Sequence, residues 1–72
     1  MTTYVNTPNK GTLNLRSEPN SNSKILARIP YNTALEVEST INDWSKVIYN
    51  NIEGYVMNQF LGDKKSITKD DL

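Results

Sequence analysis

The most informative run of residues in this chain is Leu13-Asn14-Leu15-Arg16-Ser17-Glu18-Pro19-Asn20-Ser21-Asn22. Its first four residues alternate apolar and polar side chains, which places one face of a β-strand on a core and the other face in water. The alternation ends at Ser17, where residues rich in Ser, Pro and Asn indicate a loop. The run therefore predicts a half-buried strand followed by a surface loop.

The same alternation recurs in two later segments, 35–38 and 45–49. Gly54-Tyr55-Val56 adds a third segment, which reads as the second strand of a closing hairpin. Helical spacing of apolar residues is poor throughout, and Thr, Val, Ile and Asn stand where a helix would favour Ala, Leu or Glu. We expect a core lined by Leu13, Leu15, Leu35, Val37, Val47 and Val56.

Turn signals divide the chain at short intervals. Asn50-Asn51 predicts a two-residue hairpin turn with both residues at positive φ, and Asn32 can adopt positive φ in the turn before Leu35. The sequence predicts an all-β fold, a small and partly open barrel of about five to seven short strands. One short helical turn is expected near the C-terminus, at residues 57–61. The expected organisation is an N-terminal tail at 1–3, one domain at 4–62, and a flexible tail or linker at 63–72.

Composition limits the partners. The chain has 72 residues, eight basic and eight acidic, and a formal net charge of zero. This balance argues against nucleic acid, and no apolar run is long enough for membrane insertion. A chain of this length is expected to be one small domain, and a monomer.

Catalytic chemistry has few candidates. The chain contains no histidine and no cysteine, so the commonest general base and the best thiol nucleophile are missing. Glu36 and Glu38 form one carboxylate pair, but solvated charges on the outside of a barrel explain them better than glycosidic chemistry does. Metal ligands and a phosphate-binding loop are also lacking, so we expect no cofactor and no enzyme activity.

The order of these motifs resembles the bacterial SH3 domain, in its SH3_3 form. The matching segments are 13–20, 24–29, 32–37, 44–47, 50–51 and 54–61. Glu18, Asn32 and Asn51 stand where that family usually has Gly. Tyr31 and Ile48 place apolar surface where charged residues are common.

The resemblance implies an SH3-like barrel and a binding role. Such domains are accessory modules of cell-wall hydrolases and of surface or secreted proteins, and many bind peptidoglycan or its peptides. The implied location is extracellular or in the cell wall, within a larger exported protein. Other domains of that protein are the alternative partners.

Seven residues are candidates for ligand contact, since each offers a ring, an apolar surface, an amide or a guanidinium: Arg16, Asn20, Tyr31, Trp44, Ile48, Tyr55 and Asn58. Five of them also have a structural alternative. Arg16 could pair with Glu36 or Glu38, and Trp44 could cover the edge of the barrel. Tyr31 could cover the adjacent proline, and the asparagines could form turns.

Three hypotheses about function remain open. The first is a wall-binding groove between the loop at 16–23 and the turn at 42–44. The second is a docking patch for another domain, formed by Tyr31, Trp44 and Ile48. The third is a spacer without a ligand.

Overall fold

Seven antiparallel strands form a single sheet in residues 2–62, the part of the chain that the structure, a computed structural model, describes. In chain order they are β1 (Thr2–Val5), β2 (Leu13–Arg16), β3 (Ile25–Ile29), β4 (Ala34–Ile41), β5 (Trp44–Tyr49), β6 (Ile52–Met57) and β7 (Leu61–Gly62). Their order across the sheet is β3-β2-β6-β5-β4-β1-β7. The all-β prediction is confirmed, and the short helical turn is the 3₁₀ turn Asn58–Phe60. The predicted tail at 63–72 lies outside the described residues.

The sheet curls around seven buried apolar side chains: Val5, Leu13, Leu15, Ile29, Leu35, Val47 and Val56. Five of the six predicted core residues are in this cluster. Val37 is only partly buried and packs against the cluster from its edge. Val5 and Ile29 complete the core, although neither belongs to an alternating segment that the sequence made obvious.

Strand β4 contains one irregularity, directly after Val37. Val37 lies opposite Val47, whereas Ser39 lies opposite Lys46, so Glu38 is one residue more than the pairing needs. Such a β-bulge interrupts the two-residue alternation. Glu36 and Glu38, the carboxylate pair of the sequence analysis, are both exposed on the outside of the barrel.

Asparagines make the tight turns. Asn32, Asn50 and Asn51 have φ of 63°, 49° and 65°, as the sequence predicts, and Asn42 in the β4–β5 turn has φ of 54°. Asn accepts this left-handed conformation better than most residues because its short polar side chain can bond locally. Glu18 is absent from the positive-φ residues of the described chain, which explains why Gly is not needed there.

The first strand begins earlier than the predicted domain boundary. Thr2 and Thr3 were expected in a tail, but they belong to β1, where Thr3 is buried and its hydroxyl donates to the carbonyl of Gly62 (3.0 Å). Thr2 lies opposite Glu36, and its hydroxyl donates to that carboxylate. The sequence missed these positions because threonines next to a terminus carry no apolar signal.

Gly54 allows the closest approach in the barrel. A Cβ atom at this position would lie 2.7 Å from the carbonyl oxygen of Arg16 and 2.9 Å from the side chain of Leu15. The backbone of β2 therefore rests directly on β6, which only glycine permits.

Replacing Gly54 by alanine should destabilise the domain by about 1–3 kcal/mol, because the added methyl group must displace backbone atoms of β2. Gly11→Ala is the matched control, since its Cβ would lie 3.5 Å from the nearest atom, the Pro8 carbonyl oxygen. Urea unfolding followed by circular dichroism measures both variants. Equal stabilities would contradict the close approach of β2 to Gly54.

Val47→Ala should lower the free energy of unfolding by about 1–3 kcal/mol, because Val47 has no exposed surface and truncation leaves a cavity. Ile48→Ala, one residue further along β5 and 45% exposed, should change stability by less than about 0.5 kcal/mol. The same urea titration compares the two variants. A larger loss at Ile48 would mean that the two faces of β5 are assigned the wrong way round.

Candidate ligand-binding groove

One groove of about 410 Å³ opens at an end of the barrel, and we call it the binding groove. Its floor comes from β2, β5 and β6, and its walls come from two irregular segments, the turn at 7–12 and the β2–β3 loop at 17–24. The residues around it are Thr7, Pro8, Gly11, Thr12, Leu13, Asn14, Arg16, Ser21, Trp44, Met57 and Phe60.

Trp44 reaches the binding groove because of the alternation of β5. Ser45 and Val47 are buried, so Trp44 lies on the opposite, outer face of the sheet, where it is half-buried. Its cross-strand neighbours are Ile41 on β4 and Met57 on β6. An indole beside a thioether forms an apolar surface of the kind that anchors ligands and partner proteins.

Asn58 secures the turn that precedes Trp44. Its side-chain NH₂ donates to the carbonyl of Asn42 (3.2 Å), and its side-chain oxygen accepts from the hydroxyl of the buried Ser45. Its backbone N–H donates to the carbonyl of Asp43 (2.8 Å). Asn58 does not line the binding groove, and both ends of its amide already bind the protein. Its contacts are those of a residue that positions Trp44.

Arg16 forms the opposite side of the binding groove. It follows the buried Leu15, so its side chain lies on the outer face, where it is half-buried and faces Tyr55 of β6. Its Nη1 donates to the carbonyl of Ser23 at 2.7 Å. The expected pairing with Glu36 or Glu38 is wrong, because β6 and β5 lie between β2 and β4 in the sheet.

The β2–β3 loop is held by its own polar groups. The Ser23 hydroxyl donates to the carbonyls of Glu18 and Asn20, both at 2.9 Å. The Asn20 side-chain oxygen accepts from the backbone N–H of Asn22 at 3.0 Å. Asn20 thus forms a turn, which is the structural role that the sequence analysis allowed for it. Ser21 is the loop residue that borders the binding groove.

The remaining candidates lie elsewhere. Tyr31 is half-buried in the turn between β3 and β4, and Tyr55 is half-buried between Arg16 and Lys46 of the neighbouring strands. Ile48 is exposed, opposite Glu36 on one side and Glu53 on the other. The structure therefore brings two of the seven candidates, Arg16 and Trp44, into the binding groove.

The nearby charges are balanced by local partners. Lys46 and Glu53 form an ion pair at 3.2 Å. The hydrogen bond that Lys46 donates to the Glu53 carboxylate, and then the negative charge of that carboxylate, raise the pKa of Lys46. The hydrogen bond from the Thr2 hydroxyl lowers the pKa of the Glu36 carboxyl. Neither pair borders the binding groove.

Sequence reasoning did not place Met57, Phe60 or the turn at 7–12 in a ligand site. Met57 could have been found by continuing the outward face of β6 from Tyr55, two residues earlier. The position of the turn beside the groove could not, because its shape depends on positive φ at Asn9 and Lys10 and on the Thr7 hydroxyl, which donates to the Gly11 carbonyl.

Residues 2–62 hold no group of three or more acidic, His or Cys side chains placed to bind a metal ion. Among the same residues, no helix is long and apolar enough to cross a membrane.

Comparison with known proteins identifies the family. The family model described as the bacterial SH3 domain matches residues 11–62. This chain belongs to the bacterial SH3 domain family.

One curated relative contains a similar segment within a longer protein. The chain is 40% identical over 55 residues to a protein of Listeria grayi named "Probable endopeptidase p60". The match covers 74% of this chain but only 11% of that protein. The chain thus spans about a tenth of that relative's length, and together with the family this supports the role of a binding module.

Asn58→Ala should destabilise this bacterial SH3 domain by about 1–3 kcal/mol, because it leaves the buried Ser45 hydroxyl and the Asn42 carbonyl without their partner. It should also shift the fluorescence of Trp44, the single tryptophan of the chain. Gln59→Ala, an exposed neighbour in the same 3₁₀ turn, is the control and should change neither property. Unaltered unfolding and emission in Asn58→Ala would show that the amide does not secure the turn.

Proposed function

We propose that this bacterial SH3 domain is a non-catalytic binding module that attaches a larger exported protein to the bacterial cell wall. Its binding groove holds peptidoglycan, or the peptides of peptidoglycan. The observation that carries the proposal is a groove that combines Trp44, Met57 and Phe60 with the polar side chains of Asn14 and Arg16. Apolar walls with a few polar groups are typical of ligand sites in proteins.

The relative supports the choice of ligand. An endopeptidase cuts peptide bonds, so a module within such an enzyme is useful when it holds the same polymer that the enzyme cuts. This module supplies no His or Cys of its own for catalysis. We infer that the chemistry belongs to another part of the parent protein, and that this domain acts outside the membrane.

An interaction patch for another domain is the second candidate. Ile48 and Ile41 are 45% and 44% exposed, and exposed apolar side chains mark an interaction site where they form a continuous patch. However, Ile48 is four residues from Trp44 along β5, about 13 Å by strand rise, and Tyr31 lies in a different turn. The three residues do not share the binding groove, so the wall-binding proposal has the better geometrical support.

Sedimentation with purified cell walls tests the proposal. The chain should pellet with the walls, and Trp44→Ala should weaken binding by about tenfold or more, as truncation of a central aromatic anchor does. Ile48→Ala is the matched control, because it removes exposed apolar surface from the same face of the same strand outside the binding groove. Circular dichroism and thermal melting show whether both variants are folded.

Three results would contradict wall binding through this groove. The chain could remain in the supernatant while a known wall binder sediments. Ile48→Ala could lose binding while Trp44→Ala retains it, which would favour the interaction patch. Trp44→Ala could also retain full binding while folded, and the ligand would then lie elsewhere on the domain.

A further inference from the structure

Charge is distributed unevenly around the binding groove. Arg16 is the only ionisable side chain among the described residues that line it. The carboxylates of Glu36 and Glu53 are bound elsewhere, by Thr2 and by Lys46. The domain is neutral as a whole, whereas the described residues that line this site carry one positive charge and no negative charge.

The guanidinium of Arg16 has hydrogen-bond donors that the fold does not use. A guanidinium carries five N–H donors, and the structure gives Arg16 one hydrogen bond, from Nη1 to the carbonyl of Ser23. This bond and the half-buried position opposite Tyr55 restrict the side chain, but they leave its other N–H donors available. A planar cation that is already oriented binds a carboxylate through two parallel hydrogen bonds.

The rest of the binding groove fits a short peptide. Asn14 lies two residues before Arg16 on the same face of β2, where its amide can both donate to and accept from a peptide bond. Trp44, Met57 and Phe60 supply apolar surface for small side chains. A volume of about 410 Å³ is at the lower end of the usual range for ligand pockets, so the site accommodates a few residues at most.

We propose that the binding groove recognises the peptide part of the wall polymer by a free carboxylate, which Arg16 binds. This rests on the proposed function and narrows it, because a neutral glycan has no group that needs the cation. Charge complementarity selects the occupant: the groove offers a fixed cation and no carboxylate among its described lining residues.

The ligand side of the contact can be tested on the unmodified chain. Three probes are titrated and followed by chemical shifts: a muropeptide purified from digested walls, the same muropeptide with its carboxylates converted to carboxamides, and a neutral disaccharide of N-acetylglucosamine, which carries no carboxylate. Amidation keeps the shape and removes the charge. We expect it to weaken binding by about tenfold to a hundredfold, as loss of a charged hydrogen bond does, and we expect the disaccharide to bind no better than the amide.

The protein side has a matched pair of variants. Arg16→Gln should weaken binding of the free acid to the level of the amide, whereas it should leave binding of the amide nearly unchanged. Arg28→Gln removes a cation from the neighbouring strand β3, opposite Asn14 but outside the groove lining, and should retain affinity within about twofold. If Arg16→Gln does not fold, the amidation series on the unmodified chain decides.

The outcomes separate the two proposals. Equal affinity for the acid and the amide, or full binding of the disaccharide alone, overturns carboxylate recognition while wall sedimentation still supports the module's function. Failure of all three probes together with failure to sediment overturns both. If Arg28→Gln weakens binding as much as Arg16→Gln does, the ligand is attracted by surface cations in general, and a specific role for Arg16 is overturned.

Discussion

The direct contact between β2 and Gly54 of β6 is the constraint on which the rest of this structure depends. A side chain at position 54 would overlap the Arg16 carbonyl and the Leu15 side chain, so the two strands can meet only where β6 has none. This meeting joins the β2–β3 hairpin to the β4–β5–β6 meander. It buries Leu15 inside the barrel and, on the other side of the same strand, sets Arg16 opposite Tyr55. The core and the binding groove therefore both depend on this one contact between β2 and β6.

Sequence patterns predicted most of the fold because the relevant forces act between near neighbours. Alternation placed Leu13, Leu15 and Val47 in the core, and the conformational tolerance of asparagine placed the turn at Asn50-Asn51. The failures come from interactions between distant segments. The extra residue at Glu38 shifts the register of β4 with β5, which the alternation of residue types does not reveal. Thr3 is buried only because β7 returns beside β1.

The candidate site was harder to predict for the same reason. Trp44 and Met57 become neighbours only through the register of β5 with β6, and Phe60 joins them through a 3₁₀ turn that carries no apolar alternation. The wall at 7–12 depends on backbone conformation, which residue types indicate weakly. Sequence reasoning could therefore select Trp44 and Arg16 as chemically useful, but it could not separate them from Tyr31 and Ile48, which have equally suitable side chains in other places.

Hydrogen-bonding capacity explains why some polar candidates serve the fold and others remain available to a ligand. Asn58 commits both ends of its amide to the turn before Trp44, and Asn20 commits its oxygen to its own loop. A guanidinium has five N–H donors, so Arg16 can bind the Ser23 carbonyl and keep donors for a ligand. The bond that organises the β2–β3 loop thus also orients the cation. The carboxylate recognition that we propose therefore rests on a residue with more hydrogen-bond donors than the fold uses.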